Sequence, residues 1–153
     1  MKIFHCDHCD GMVFFENDQC SNCKAPLGFL SEEQQLVSLQ SLADGTLSLL
    51  NTHRNSQRWQ YCENHKKGVC NWLVLADDEK TLCHACELNR HIPNIERNDK
   101  LYAWSQLEFA KHRLIYSLLR MNLPIITKLE DPRNGLAFDF ISSQDAVQLM
   151  PVR

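Results

Sequence analysis

No stretch of this sequence approaches the ~18 consecutive apolar residues that a membrane span requires. The opening Met1-Lys2-Ile3-Phe4-His5-Cys6 carries no apolar leader segment. A cytoplasmic protein without a membrane partner is expected, and Met1 at the start speaks against a processed form. Excess positive charge is also missing. The formal charge is −3, whereas a general phosphate-binding surface needs clustered Lys and Arg. No glycine-rich phosphate loop, Ser/His/Asp grouping, paired-carboxylate pattern, low-complexity tract or long internal repeat stands out. The residues mark no catalytic or organic-cofactor site.

What the chain does have is cysteine. Eight fall within 153 residues, at Cys6, Cys9, Cys20, Cys23, Cys62, Cys70, Cys83 and Cys86, and six of them form three C-x-x-C pairs. A disulfide scaffold belongs in an exported chain, so metal binding is the better reading. A thioredoxin-like pair needs a βαβ context, and haem attachment needs C-x-x-C-H; neither is present. Zinc prefers a tetrahedron of thiolates, and two facing C-x-x-C turns supply one. Cys6, Cys9, Cys20 and Cys23 fit that pattern closely. Cys62 and Cys70 are spaced more widely, but a loop helped by Gly68 can return Cys70 to Cys62 and complete a second set with Cys83 and Cys86. His65 and His84 are the nearest histidines that could replace a cysteine, and they read as surface residues. Two structural Zn²⁺ ions are expected, although an iron centre of rubredoxin type would use the same four sulfurs. Two tetrathiolate zinc units would take the chain to roughly −7. Four thiolates leave no open coordination position, so neither ion should activate water.

The pattern predicts an α+β fold of small zinc-ribbon β units followed by a long C-terminal helix. Residues 1–29 read as a ribbon with a short strand at Val13–Phe15 and almost no apolar core, so that metal supplies its folding free energy. Residues 30–95 read as a second β-rich four-cysteine unit. In it, Asp44-Gly45 predicts a hairpin turn between two strands, in competition with a helix capped by Ser31 and Gln34. Further strands are expected at 58–61 and 71–75, with a helical turn at 87–90. Residues 96–124 hold a helix over 98–122, capped by Asn98 or Asp99 and stopped by Pro124. Its apolar stripe is Leu101, Trp104, Leu107, Leu114, Leu118 and Met121. Residues 125–153 read as a linker and a strand at 136–141. Asn64, Asn71 and Asn89 flank the second set and are expected to hydrogen-bond backbone or thiolates.

The motifs assembled so far include Met1-Lys2-Ile3-Phe4-His5-Cys6-Asp7-His8-Cys9, Tyr61-Cys62-Glu63-Asn64 and Gly68-Val69-Cys70-Asn71-Trp72-Leu73-Val74. With Leu82-Cys83-His84-Ala85-Cys86, Leu88-Asn89-Arg90 and Ala137-Phe138-Asp139-Phe140, the chain resembles a bacterial family of zinc-binding metallopeptidases with an N-terminal zinc ribbon. The resemblance implies a following peptidase-like domain with an H-E-x-x-H helix. This sequence has no H-E-x-x-H; His112-Arg113-Leu114-Ile115-Tyr116 lacks both the glutamate and the second histidine. The expectation is a non-catalytic zinc-binding structural or interaction domain, either a fragment or a naturally short relative. Its expected partner is its own absent C-terminal domain or a peptide. The alternative is a nucleic-acid-binding zinc-ribbon module, using the basic stretch His53, Arg54, Arg58, His65, Lys66 and Lys67.

Overall fold

The computed structural model describes residues 2–51, 57–96 and 98–141. The chain divides into two compact units, Met1–His84 and Ala85–Arg153. His53 and Arg54 of the basic stretch lie outside the described residues.

The first unit opens with β1 (Phe4–His5) paired antiparallel to β2 (Met12–Val13). The expected strand at Val13–Phe15 stops at Val13, because the chain turns at Phe14, whose N–H donates to the Asn17 side chain at 2.7 Å. Five antiparallel strands follow in sequential order: β3 (Leu27–Leu30), β4 (Gln35–Ser41), β5 (Leu47–Leu49), β6 (Trp59–Tyr61) and β7 (Leu73–Leu75). The Asp44-Gly45 turn joins β4 to β5. Gly45 has φ +83°, and the Asp44 carboxylate accepts from the Thr46 N–H at 2.9 Å. The rival helix at 31–34 is a turn instead, with Gln34 at φ +52°.

The first and last strands meet. The Phe29 N–H donates to the Asn71 carbonyl at 2.9 Å, and a parallel bridge links Phe29 to Trp72. Leu30, Val37, Leu39, Leu47, Leu49 and Leu73 fill the interior, with Trp59 and Tyr61 packed on it. A Cβ at Gly28 would fall 2.6 Å from the Leu73 side chain, so this approach needs glycine.

The N-terminal segment is not short of apolar packing, contrary to the expectation for residues 1–29. Phe4, Val13, Phe15, Leu27 and Phe29 are all buried. Their rings form a column: Phe15 stacks on Phe4 at 6.1 Å, meets Phe29 edge-on at 4.9 Å, and Phe29 reaches Trp72 at 4.7 Å.

α1 (His84–Glu87) begins at the last residue of the first unit; in the second unit it precedes β8 (Asn89–His91), which pairs parallel to β9 (Phe138–Asp139). The helical turn expected at 87–90 therefore lies earlier, and Asn89–His91 is strand. The strand expected over 136–141 is only two residues long, and β8 occupies one of its edges. Asp139 anchors this pair by accepting from Arg90 Nε at 2.9 Å and pairing with His91 Nδ1 at 2.7 Å. Those contacts hold its carboxyl well below the usual carboxylate range.

The long helix, α2 (Asn98–Arg120), holds Asn98 and Asp99 in its first turn. It ends at Arg120, and Asn122, left-handed at φ +53°, turns the chain away two residues before Pro124. Its buried face differs from the expected stripe. Trp104, Glu108, Lys111, His112, Ile115 and Tyr116 are buried, whereas Leu107 (54%), Leu114 (46%) and Met121 (59%) are exposed. Among the described residues, no helix is long and apolar enough to cross a membrane.

Candidate metal centres

The two N-terminal C-x-x-C turns repeat one backbone design. The Cys6 N–H donates to the Gly11 carbonyl at 2.8 Å, and the Asp10 N–H donates back to Cys6 at 2.8 Å. Fourteen residues on, the Cys20 N–H donates to Ala25 at 2.9 Å and the Lys24 N–H to Cys20 at 3.0 Å. In each turn the residue after the second cysteine is left-handed, Asp10 at φ +58° and Lys24 at φ +63°. Asp7, inside the first turn, accepts from the Ser38 N–H of β4 at 2.8 Å and so ties the turn to the sheet.

This geometry brings together Cys6, Cys9, Cys20 and Cys23. Cys6 and Cys23 sulfurs lie 3.7 Å apart, and those of Cys9 and Cys20 3.6 Å apart. A disulfide would place them about 2.0 Å apart. Sulfurs bound at ~2.3 Å to one tetrahedral ion lie about 3.8 Å apart along each edge. The observed spacing is that of ligands around an ion, and no disulfide joins any of the eight cysteines.

Within the first quartet the thiols are unequal. Burial pushes Cys6 up to about 12. At Cys9 the Asn22 amide, donating at 3.4 Å, and then the Gly11 N–H hold the thiol down at about 6. Cys9 is thus a sulfur whose neighbours favour the thiolate form that a metal ion needs. Asn22→Leu removes the side-chain donor. It is expected to weaken zinc binding at the first quartet by about 10- to 100-fold. Competition with a chromophoric chelator measures this, the second quartet serving as the internal control; equal release from both would refute the role of Asn22.

The second quartet comprises Cys62, Cys70, Cys83 and Cys86, all buried. A 3₁₀ turn, Glu63–Lys67, ends on Gly68 at φ +70° and returns the chain, as expected. Cys70 and Cys83 sulfurs lie 3.7 Å apart, again a tetrahedral edge. Backbone N–H groups support the sulfurs: Trp72 donates to Cys70 and Cys83 to Cys62, each at 3.4 Å. Each quartet could bind one zinc ion.

His65 and His84 belong to neither quartet. The His65 ring stacks on Tyr61 at 3.8 Å, and its Nδ1 lies 2.8 Å from the Cys70 carbonyl. Of the three asparagines singled out, Asn71 bonds backbone as expected, donating to the Phe15 and Asn17 carbonyls at 2.7 and 2.9 Å. The Asn64 side chain instead accepts from Lys67 at 2.9 Å, and that of Asn89 donates to Glu108 at 3.0 Å. Sequence reasoning missed Asn22, although its place inside a C-x-x-C turn was a usable signal. It also missed Glu108 and Lys111, and weighed His112 only against the H-E-x-x-H pattern.

A family model described as a zinc-ribbon domain matches residues 3–97, and one described as "Putative zinc-binding metallo-peptidase" matches residues 100–151. Among curated proteins, the chain is 34% identical over 143 residues to an uncharacterized protein of Mycobacterium bovis. It is equally similar to uncharacterized proteins from two strains of Mycobacterium tuberculosis. Each match covers 94% of this chain and 38% of the relative, so the chain spans well under half the length of those proteins. No solved structure matches it.

Proposed function

Because this chain belongs to the zinc-ribbon family, we propose that it is the non-catalytic, zinc-stabilised interaction domain of a metallopeptidase-like protein, held by two structural Zn²⁺ ions. The observation that carries this reading is the pair of four-sulfur sets with tetrahedral-edge spacing. A tetrathiolate shell is closed, so it stabilises a fold without offering a site for water or substrate. On this reading the described residues do not cleave peptides themselves.

The partner surface is the outer face of α2. Ala103, Leu107, Ala110, Leu114 and Ser117, with Met121 just past the helix end, recur at alternating steps of four and three residues, and all are exposed. That is a helix-pairing seam with small and large side chains in alternation. The metallopeptidase match begins at residue 100, within this helix, and the relatives are much longer than this chain. The seam therefore suits the remainder of a peptidase-like domain. The nucleic-acid reading draws less support, since Lys66 and Lys67 stand in a chain of net negative charge.

Mixing this chain with the separately produced downstream region of such a longer protein tests the reading. A stable complex is expected on size exclusion. Leu107→Glu combined with Leu114→Glu should weaken it by ~100-fold or more, at roughly 1.5–3 kcal/mol per leucine, with zinc content unchanged. No association by the unmodified chain would refute the assignment.

A further inference from the structure

The second unit buries a polar group that the tetrathiolate sites do not explain. Glu108, Lys111 and His112, on one face of α2, are only 0%, 3% and 2% exposed. Lys111 Nζ donates to Glu108 Oε1 at 2.6 Å, and Asn89 Nδ2 donates to the same oxygen at 3.0 Å. Lys111 also pairs with the Asn89 side-chain oxygen. The other carboxylate oxygen, Oε2, is buried without a hydrogen-bond partner. A buried carboxylate with one oxygen clamped and the other unmet is costly unless a cation completes it.

Next to this carboxylate lies Cys86. Its sulfur is 3.4 Å from Glu108 Oε1 and 3.7 Å from His112 Nε2, and the three residues can direct their ligand atoms to one point. For a zinc-type ion with sulfur at ~2.3 Å and nitrogen or oxygen at ~2.0–2.2 Å, tetrahedral edges of about 3.5 Å are required. The Cys86–His112 edge agrees directly, and the Cys86–Glu108 distance, measured to Oε1, places the carboxylate within reach of the same ion. Thiolate, imidazole and carboxylate together suit zinc or a neighbouring divalent transition metal.

Charge points the same way. A zinc ion in four thiolates carries two negative charges, and Glu108 and Lys111 cancel one another. Without a further cation, the Cys86 thiolate would face a carboxylate in a buried setting. A second divalent ion removes the residual charge.

We propose that Cys86, Glu108 and His112 form a third metal site, which takes a divalent transition-metal ion and shares the Cys86 thiolate with the second quartet. Lys111 and Asn89 hold the carboxylate in place through Oε1, which leaves Oε2 open to the ion. The three protein ligands leave one coordination position for water, unlike the two closed quartets. The proposal rests on the tetrathiolate reading of the second quartet, and its failure is separable from the failure of that reading.

Native mass spectrometry of the folded full chain, loaded with zinc and freed of loose ions, decides it. Three ions are expected in the unmodified protein and two in Glu108→Gln and in His112→Gln. Two ions in the unmodified protein overturn the proposal, leaving Glu108 and His112 as hydrogen-bonding support for Cys86. Fewer than two overturn the tetrathiolate reading as well. Cobalt gives a readout that needs no variant. A sulfur-bridged pair of Co²⁺ ions couples its spins, so the paramagnetic signal per cobalt should fall as the third equivalent binds. A constant signal per cobalt up to that equivalent overturns the shared thiolate.

Discussion

Cys20→Ser is expected to remove one zinc ion and to unfold the two N-terminal knuckles together with β1 and β2. Cys20 is fully buried, and its backbone holds the second knuckle closed through Ala25 and Lys24. A serine hydroxyl stays protonated at neutral pH and cannot replace the thiolate. Structural zinc in finger peptides is worth roughly 10–16 kcal/mol, as much as the ~5–15 kcal/mol that holds a whole domain together. Losing one of four ligands therefore removes a share that packing alone does not replace. Metal quantification should fall by one ion per chain. Hydrogen exchange should show lost protection at the Cys6, Asp10, Cys20 and Lys24 amides, whose bonds define the knuckles. Cys83→Ser should remove the ion of the second quartet and leave those amides protected. If both variants keep their full metal content, the two ligand sets are wrong.

The parts of this design that were legible in the sequence are local ones. A C-x-x-C spacing dictates a knuckle because the chain must turn within four residues to aim two sulfurs at one point. Asp44-Gly45 dictates a hairpin because glycine takes the positive φ and aspartate caps the turn. The interior was less legible. Phe4, Phe15, Phe29 and Trp72 come from four separate segments, and none sits in a long apolar run. The N-terminal ribbon therefore looked poor in packing when it is not.

Helix α2 shows a different limit. Counting leucines at three- and four-residue steps selected Leu107, Leu114 and Met121 as inward facing, and they face outward. Glu108, Lys111 and His112 are buried in their place, bonded by Asn89 and Cys86 from far away in the chain. A pattern read along one helix contains no information about such partners. The leucine periodicity is nonetheless real, since it marks the second apolar face.

Trp72→Ala separates packing from metal binding. The indole is completely buried, touching Phe29 at 4.7 Å and Phe15 at 6.4 Å. Truncating a buried Trp costs about 3–5 kcal/mol, from lost burial and the cavity left behind. The ring has no role as a ligand, and the backbone N–H that donates to Cys70 survives in alanine. The variant should therefore keep both tetrathiolate zinc ions while its midpoint in chemical denaturation falls sharply. A loss below about 1 kcal/mol, within the range of ordinary substitutions, would mean that the aromatic column contributes little and that metal alone holds the first unit. Because Phe29 joins Trp72 to the rings beside the first knuckles, cavity formation at Trp72 should also speed zinc release from Cys6, Cys9, Cys20 and Cys23. Faster release there, with stoichiometry unchanged, would show that the column stabilises a metal centre to which Trp72 contributes no ligand.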